Sequence, residues 1–284
     1  MKIREIAIDL LATAPLSWVL TALGRSRLAA GALNQASHPR GVFRSFDEAW
    51  RVAKRFGYAG HDHPDYFRNQ IRFTTGLRAS DYAVLYWLSQ LARESLKVLD
   101  FGGNIGNIYY SYSDYLRRCA AETEWVVFDL PAAIDHGRRL AAERGERKLR
   151  FTYSLADLDG EYIILVSSAF HYWEKSVGEF IAQFAGPPQH ILVNRIPVQE
   201  RESSFFTVQH RKTYAHPCRV WNSTELIANF ADAGYDLVDR WSAPELRIRM
   251  PLFPTYTVEA YSGFYFRRRS LANTAAISPD RGVA

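Results

Sequence analysis

From Lys97 onward the chain alternates strand-like and helix-like runs, and this rhythm constrains its fold more than any other feature. Strand-like runs cover residues 98–101, 125–128, 149–151, 162–166, 191–193, 235–238 and 259–266. Helical periodicity covers residues 107–121, 132–143, 177–185 and 223–233. Parallel neighbours in a sheet need a crossover connection, usually a helix, so the alternation predicts a doubly wound α/β architecture. The last two strands are joined by residues 242–258, which hold Pro244, Pro251 and Pro254 and no helical pattern. A strand that arrives without a crossover helix pairs antiparallel. The expectation is a seven-stranded sheet, mostly parallel, with an antiparallel last strand.

The first of these strands ends in an unusual turn. Val98-Leu99-Asp100-Phe101-Gly102-Gly103-Asn104-Ile105-Gly106 runs from a buried strand through an acid and a glycine turn into a helix that opens at Asn107. Glycines let the backbone bend sharply and approach a ligand, and a helix start offers N–H groups and a positive dipole end. Twenty-three residues after Gly106, the next strand ends in Asp129, placed to grip ribose hydroxyls. The combination points to an adenosine-containing cofactor. The competing reading of the glycines is a plain tight turn. That of Asp129 is an N-cap for the helix at Pro131, and that of Asp100 is an acid favoured by the helix dipole.

Residues 1–95 read as an N-terminal helical extension and cap, 96–269 as the α/β domain and 270–284 as a polar, disordered tail. In the extension, Ser45 and Glu48 have capping-box spacing for a helix through Phe56, and apolar spacing predicts a second helix over residues 80–96. Residues 6–23 are apolar, but Asp9 and Pro15 interrupt them, so they fit a helix packed on the domain or one lying in a membrane interface rather than a span. A peripheral membrane contact through residues 1–30 is one expectation. Another is a cytoplasmic chain, at most peripheral at the inner membrane face. The net charge of +5 comes with short arginine clusters instead of a dense basic face, which argues against nucleic acid and suits an anionic substrate or surface. Two cysteines are too few for a disulfide scaffold and suggest a reducing compartment.

Seven strands with a non-helical return match the pattern of S-adenosylmethionine-dependent methyltransferases. The segments 98–106, Trp125-Val-Val-Phe-Asp-Leu-Pro131, Leu165-Val-Ser-Ser-Ala-Phe-His-Tyr172 and Phe206-Thr-Val-Gln-His210 resemble a family of bacterial methyltransferases found with surface-polysaccharide biosynthesis. The resemblance runs from about Phe46 to Arg268. It implies a Rossmann-like domain, S-adenosylmethionine as cofactor, and O-methylation of a saccharide or lipid-linked saccharide. The chain departs from the family at Asp129-Leu130, where Glu-Gln is usual, and at His171-Tyr172, where Gln-Tyr is usual. The first departure keeps the acid, and with it the expected cofactor contact, whereas the second bears on the catalytic details.

On this reading Gly102, Gly103 and Gly106 face the methionine part of the cofactor, and Asp100 holds its ammonium group or a water. Asp129 accepts from the ribose hydroxyls, Leu130 lines the adenine face, and Ser154 meets the adenine edge or is an ordinary loop serine. Ser167, Ser168, His171 and Tyr172 follow the fourth strand, at the carboxyl edge where ligands sit in open α/β sheets. His171 is either the base that takes a proton from a hydroxyl acceptor or a wall of the cofactor pocket. Tyr172 and His210 frame the acceptor. Arg195, Gln209 and Tyr214 are its candidate ligands, Arg195 alternatively forming a structural ion pair. No metal is expected: His61, Asp62, His63 and Asp65, or His210, His216 and Cys218, lack zinc spacing. A nicotinamide-dependent oxidoreductase shares the glycine turn and the acid, but the Gly-Gly-x-x-Gly spacing and the antiparallel last strand count against it. A non-catalytic scaffold with a cofactor fold is the third reading, which the His171-Tyr172 pair keeps open.

Overall fold

The computed structural model describes residues 40–54, 70–92, 94–210, 215–250 and 253–270. The apolar segment of residues 6–23, the His61–Asp65 group, Tyr214 and the tail from 271 lie outside the described residues, as does the side chain of His210. No helix among the described residues is long and apolar enough to cross a membrane.

Strand β1 (Arg40–Phe43) leads into helix α1 (Phe46–Ala53), whose first turn is capped by Ser45 Oγ accepting from the Glu48 amide at 3.2 Å. The carboxylate of Glu48 accepts from the amide of Arg44, one residue before the cap. Helix α2 (Asp81–Leu91) then precedes β2 (Ser95–Phe101). The apolar spacing read as one helix up to Leu96 is thus split, because Leu96 belongs to the buried strand. Next come α3 (Asn107–Cys119), β3 (Glu122–Phe128), α4 (Pro131–Glu143), β4 (Leu149–Thr152) and β5 (Ile163–Ser167). After β5 follow a 3-10 turn (Phe170–Tyr172), α5 (Val177–Ile181) and the long β6 (His190–Gln199). The chain closes with β7 (Phe205–His210), β8 (Ala215–Asn222), α6 (Ser223–Asp232), β9 (Tyr235–Ala243) and β10 (Tyr261–Arg268).

The main sheet has the order β4-β3-β2-β5-β6-β10-β9. Strands β4 to β6 run parallel, while β10 is antiparallel to both its neighbours, β6 and β9. This is the doubly wound, seven-stranded sheet the sequence predicts, with the antiparallel strand inserted next to the edge. Side chains alternate across β2, so that Val98 and Leu99 enter different cores. Val98 joins Trp125, Val127, Leu165 and Tyr265 with residues of α2, α3 and α4. Leu99 joins Val126, Ile164, Val166 and Phe264 with α5 and α6. Helix α2, assigned by sequence to the extension, therefore packs into the same core as the sheet.

Three strands were not foreseen. β7 and β8 form an antiparallel hairpin with β1 on its outer edge, and β8 joins the main sheet through a short parallel pairing of Val198–Gln199 with Trp221–Asn222. The segment read as a loop carrying Gln209 and His210 is thus a strand, and it extends the sheet beyond the carboxyl end of β6.

Candidate functional site

The sheet reverses its winding between β2 and β5, and open α/β sheets bind ligands outside the carboxyl ends of the strands at such a switch point. The loops that leave these two strands touch closely. Gly102 has φ +75° and a side-chain carbon added to it would lie 2.4 Å from Cβ of Ala169, while one on Gly103 would lie 2.5 Å from the Asp100 carboxyl. Gly102 is demanded by the packing of these loops on one another, and Gly103 by the close approach of the turn to the Asp100 carboxyl. Their effect is to press the turn flat against the end of the sheet. Gly106 ends the turn at φ +85° as the N-cap of α3, with no side chain to cap the first turn, so the positive end of the helix stands at this edge.

Asp100 lies beneath the turn, fully buried. Its Oδ2 accepts a long hydrogen bond from Trp125 Nε1 at 3.4 Å, and its Oδ1 has no hydrogen-bond partner. Burial raises its pKa to about 7, with the charge of Asp129 adding to the effect, against the Trp125 bond and the charge of Arg195. A buried carboxyl oxygen left without a partner is costly and invites a donor.

Asp129, half-buried at the tip of β3, reaches over the turn: its Oδ2 accepts from the Asn104 amide at 2.7 Å and its Oδ1 from the Leu130 amide at 2.6 Å. The N-cap of α4 is Leu130, so Asp129 does not serve as the helix cap that Pro131 suggested. Beside it, Leu130 is 50% exposed and Tyr153, past the end of β4, is 61% exposed. Two large uncovered side chains thus flank the acid. Ser154 follows Tyr153, its backbone held in a local turn with the Thr152 hydroxyl.

Past β5, Ser167 is buried and its Oγ accepts from Arg195 Nη2 at 2.8 Å and from Asn194 Nδ2 at 3.4 Å. Ser168 takes φ +59°, with its amide donating to the Asn194 carbonyl. Arg195, expected to meet an anionic substrate, is instead buried in a 3.0 Å ion pair with Asp81. Asp81 also accepts from Tyr112 Oη at 2.7 Å and from the Arg78 amide at 2.8 Å. Nη1 and Nη2 of the guanidinium are engaged by Asp81 and Ser167 in this network, while its buried Nε has no hydrogen-bond partner.

Of the residues expected on the acceptor side, Tyr172 and Gln209 come together, through a strand that sequence reading missed. Tyr172 Oη donates to Gln209 Oε1 at 2.7 Å, and Gln209 Nε2 donates to Tyr261 Oη at 3.1 Å and to Cys218 Sγ at 3.4 Å. Gln209 therefore ties the 3-10 turn, β7, β8 and β10 into one unit, so its amide is engaged with protein. His171 is 3% exposed, with its ring 4.1 Å from that of Tyr172 and 6.1 Å from that of Tyr261. On the outer side, Tyr172 meets His216, which packs against Trp50 and Phe46 of α1. Burial pushes the Cys218 thiol well up, so it stays protonated near neutrality. Tyr261, Cys218 and Asp81 carry no local motif, and only their partners mark them. Among the described residues no group of three or more His, Cys, Asp or Glu side chains is arranged to hold a metal ion.

No family model matches the chain, and no curated protein matches it. Solved structures similar to it include a 1,6-didemethyltoxoflavin N1-methyltransferase from Burkholderia thailandensis, with a TM-score of 0.46 and 17% identity over 68% of this chain and 80% of its own. The CcbJ methyltransferase from Streptomyces caelestis has a TM-score of 0.46 and 13% identity over 68% of this chain and 91% of its own. A magnesium protoporphyrin IX methyltransferase from Synechocystis has a TM-score of 0.43 and 16% identity over 85% and 96%.

Proposed function

We propose that this chain is an S-adenosylmethionine-dependent methyltransferase that methylates a hydroxyl of a saccharide or lipid-linked saccharide. The observation that carries the reading is Asp100, a buried carboxyl with one oxygen unsatisfied, lying under a flattened glycine turn at the switch point of the sheet. A cationic donor such as an amino-acid ammonium group would complete it. Asp129 stands at the tip of the neighbouring strand, where a carboxylate serves ribose hydroxyls, and Leu130 and Tyr153 offer apolar surface for a flat base. The residues fit the cofactor.

When bound, S-adenosylmethionine supplies an electrophilic methyl group on a sulfonium sulfur. The chain supplies position and proton transfer. Asp100 and Asp129 fix the two ends of the cofactor, and alignment of donor and acceptor can be worth roughly 7–11 kcal/mol. A ring nitrogen of His171 takes the proton of the acceptor hydroxyl, and Tyr172, held by Gln209, keeps the imidazole in place through ring contact. The saccharide class rests on the sequence resemblance together with the need for a base that a hydroxyl acceptor creates. Calorimetric titration of the protein with S-adenosylhomocysteine and with NAD, side by side, tests the reading: heat of binding is expected for the first only, and binding of NAD alone would replace the methyltransferase by an oxidoreductase.

A further inference from the structure

Beyond the carboxyl ends of β6 and β9 lies a cavity of about 490 Å³ that contains none of the residues assigned above to cofactor or acceptor. That volume lies within the range of small-molecule sites. Tyr261 is among its lining residues, and its side chain has its ring 6.1 Å from that of His171 and its hydroxyl accepting from Gln209. Tyr261 is thus the residue shared by the cavity lining and the surroundings of His171.

Its lining has a definite chemistry. Four charged side chains border it, Glu200, Glu259, Arg201 and Arg240, two of each sign, and Glu200 and Arg240 are paired at 2.9 Å. A rim with no net charge builds no field for a phosphate or a diphosphate. Ser242, Thr255, Thr257 and Ser262 also line it, alongside the apolar residues Val198, Trp241 and Pro254, and the Thr257 hydroxyl accepts from the Met250 amide at 3.2 Å. Mixed hydroxyl and apolar walls suit a ring that carries hydroxyls at its edge and C–H groups on its faces.

We propose that this cavity seats a neutral, hydroxyl-rich ring of the methyl acceptor, adjoining the hydroxyl that faces His171, and that it discriminates against phosphorylated forms of that ring. The assignment rests on the methyltransferase reading for the role of the ligand, but not for its binding. Saturation-transfer difference NMR on the full chain, with a panel of methyl glycopyranosides and with glucose 1-phosphate, reads the binding directly. Transfer to at least one methyl glycoside and little to the phosphate is expected. Ser242→Trp fills the cavity from an exposed position and should abolish the transfer while calorimetric binding of S-adenosylhomocysteine is retained, which also reports that the variant is folded. Glu200→Gln leaves the rim with an excess positive charge and should raise transfer to glucose 1-phosphate severalfold. Absence of transfer to every glycoside, or equal transfer in wild type and Ser242→Trp, overturns the proposal. Glycoside binding that is lost in Ser242→Trp, in a protein that ignores S-adenosylhomocysteine, would retain the cavity and remove the methyltransferase instead.

Discussion

Replacing Asp100 by Asn tests the energetics of the site most sharply. Burial raises the Asp100 pKa from 3.8 to about 7. Each unit is worth 1.36 kcal/mol, so ionising the buried carboxyl costs the fold up to roughly 4 kcal/mol. Because the folded-state pKa is raised, the penalty is absent below pH ~4, grows as pH rises, and is complete above about pH 7. Stability of the wild type should therefore decline across that window. Asn keeps the shape and can still accept from Trp125 but cannot ionise, so Asp100→Asn should lose this part of the decline and be the more stable protein at pH 8. At about 2–4 °C per kcal/mol for a domain of this size, the difference in Tm is at most ~8–16 °C. Thermal unfolding of both proteins by circular dichroism from pH 4 to 9 measures it. The same group offers a second reading: an ammonium ligand placed at Oδ1 would drive Asp100 into its charged form. Binding of S-adenosylhomocysteine at pH 7 should then release up to about half a proton in the wild type and none from this group in Asp100→Asn, as read from calorimetry in buffers of different ionisation enthalpy. Parallel stability curves for the two proteins would refute the buried titration. Equal proton release would refute the ammonium contact.

Three other substitutions bear on the remaining assignments. Asp129→Ala should weaken S-adenosylhomocysteine binding by roughly 1.5–3 kcal/mol, the range for hydrogen bonds to a charged group, and unchanged affinity in a folded variant would remove Asp129 from the ribose role. Asp81→Ala strands the buried guanidinium of Arg195 and should cost ~3–5 kcal/mol in urea unfolding; a loss under about 1 kcal/mol would mean that the pair is not the structural element described. His171→Ala should lower turnover of a hydroxyl acceptor about 10²–10⁴-fold with cofactor affinity nearly intact, and near-normal turnover between pH ~6 and ~9 would leave His171 as pocket lining.

The alternation of strands and helices after Lys97, the antiparallel β10, the glycine turn and the two acids at the tips of β2 and β3 could all be read along the chain. Each is a local pattern: a period, a turn residue, or an acid where a strand ends. The hairpin of β7 and β8 escaped because β7 follows directly on β6, with no helix between, and because its pairing with β1 depends on residues more than 150 positions away. The roles of individual polar side chains escaped for a related reason. Whether Arg195 serves a substrate or a structural ion pair depends on Asp81, 114 residues earlier, and whether Gln209 is a ligand or a brace depends on Tyr261, 52 residues later. Periodicity and spacing determined which residues reach the carboxyl edge of the sheet. Only the tertiary structure decided which of them are already satisfied there, because a buried hydrogen bond or ion pair is set by whichever partner the packing brings within about 3 Å, and sequence distance carries no record of that choice.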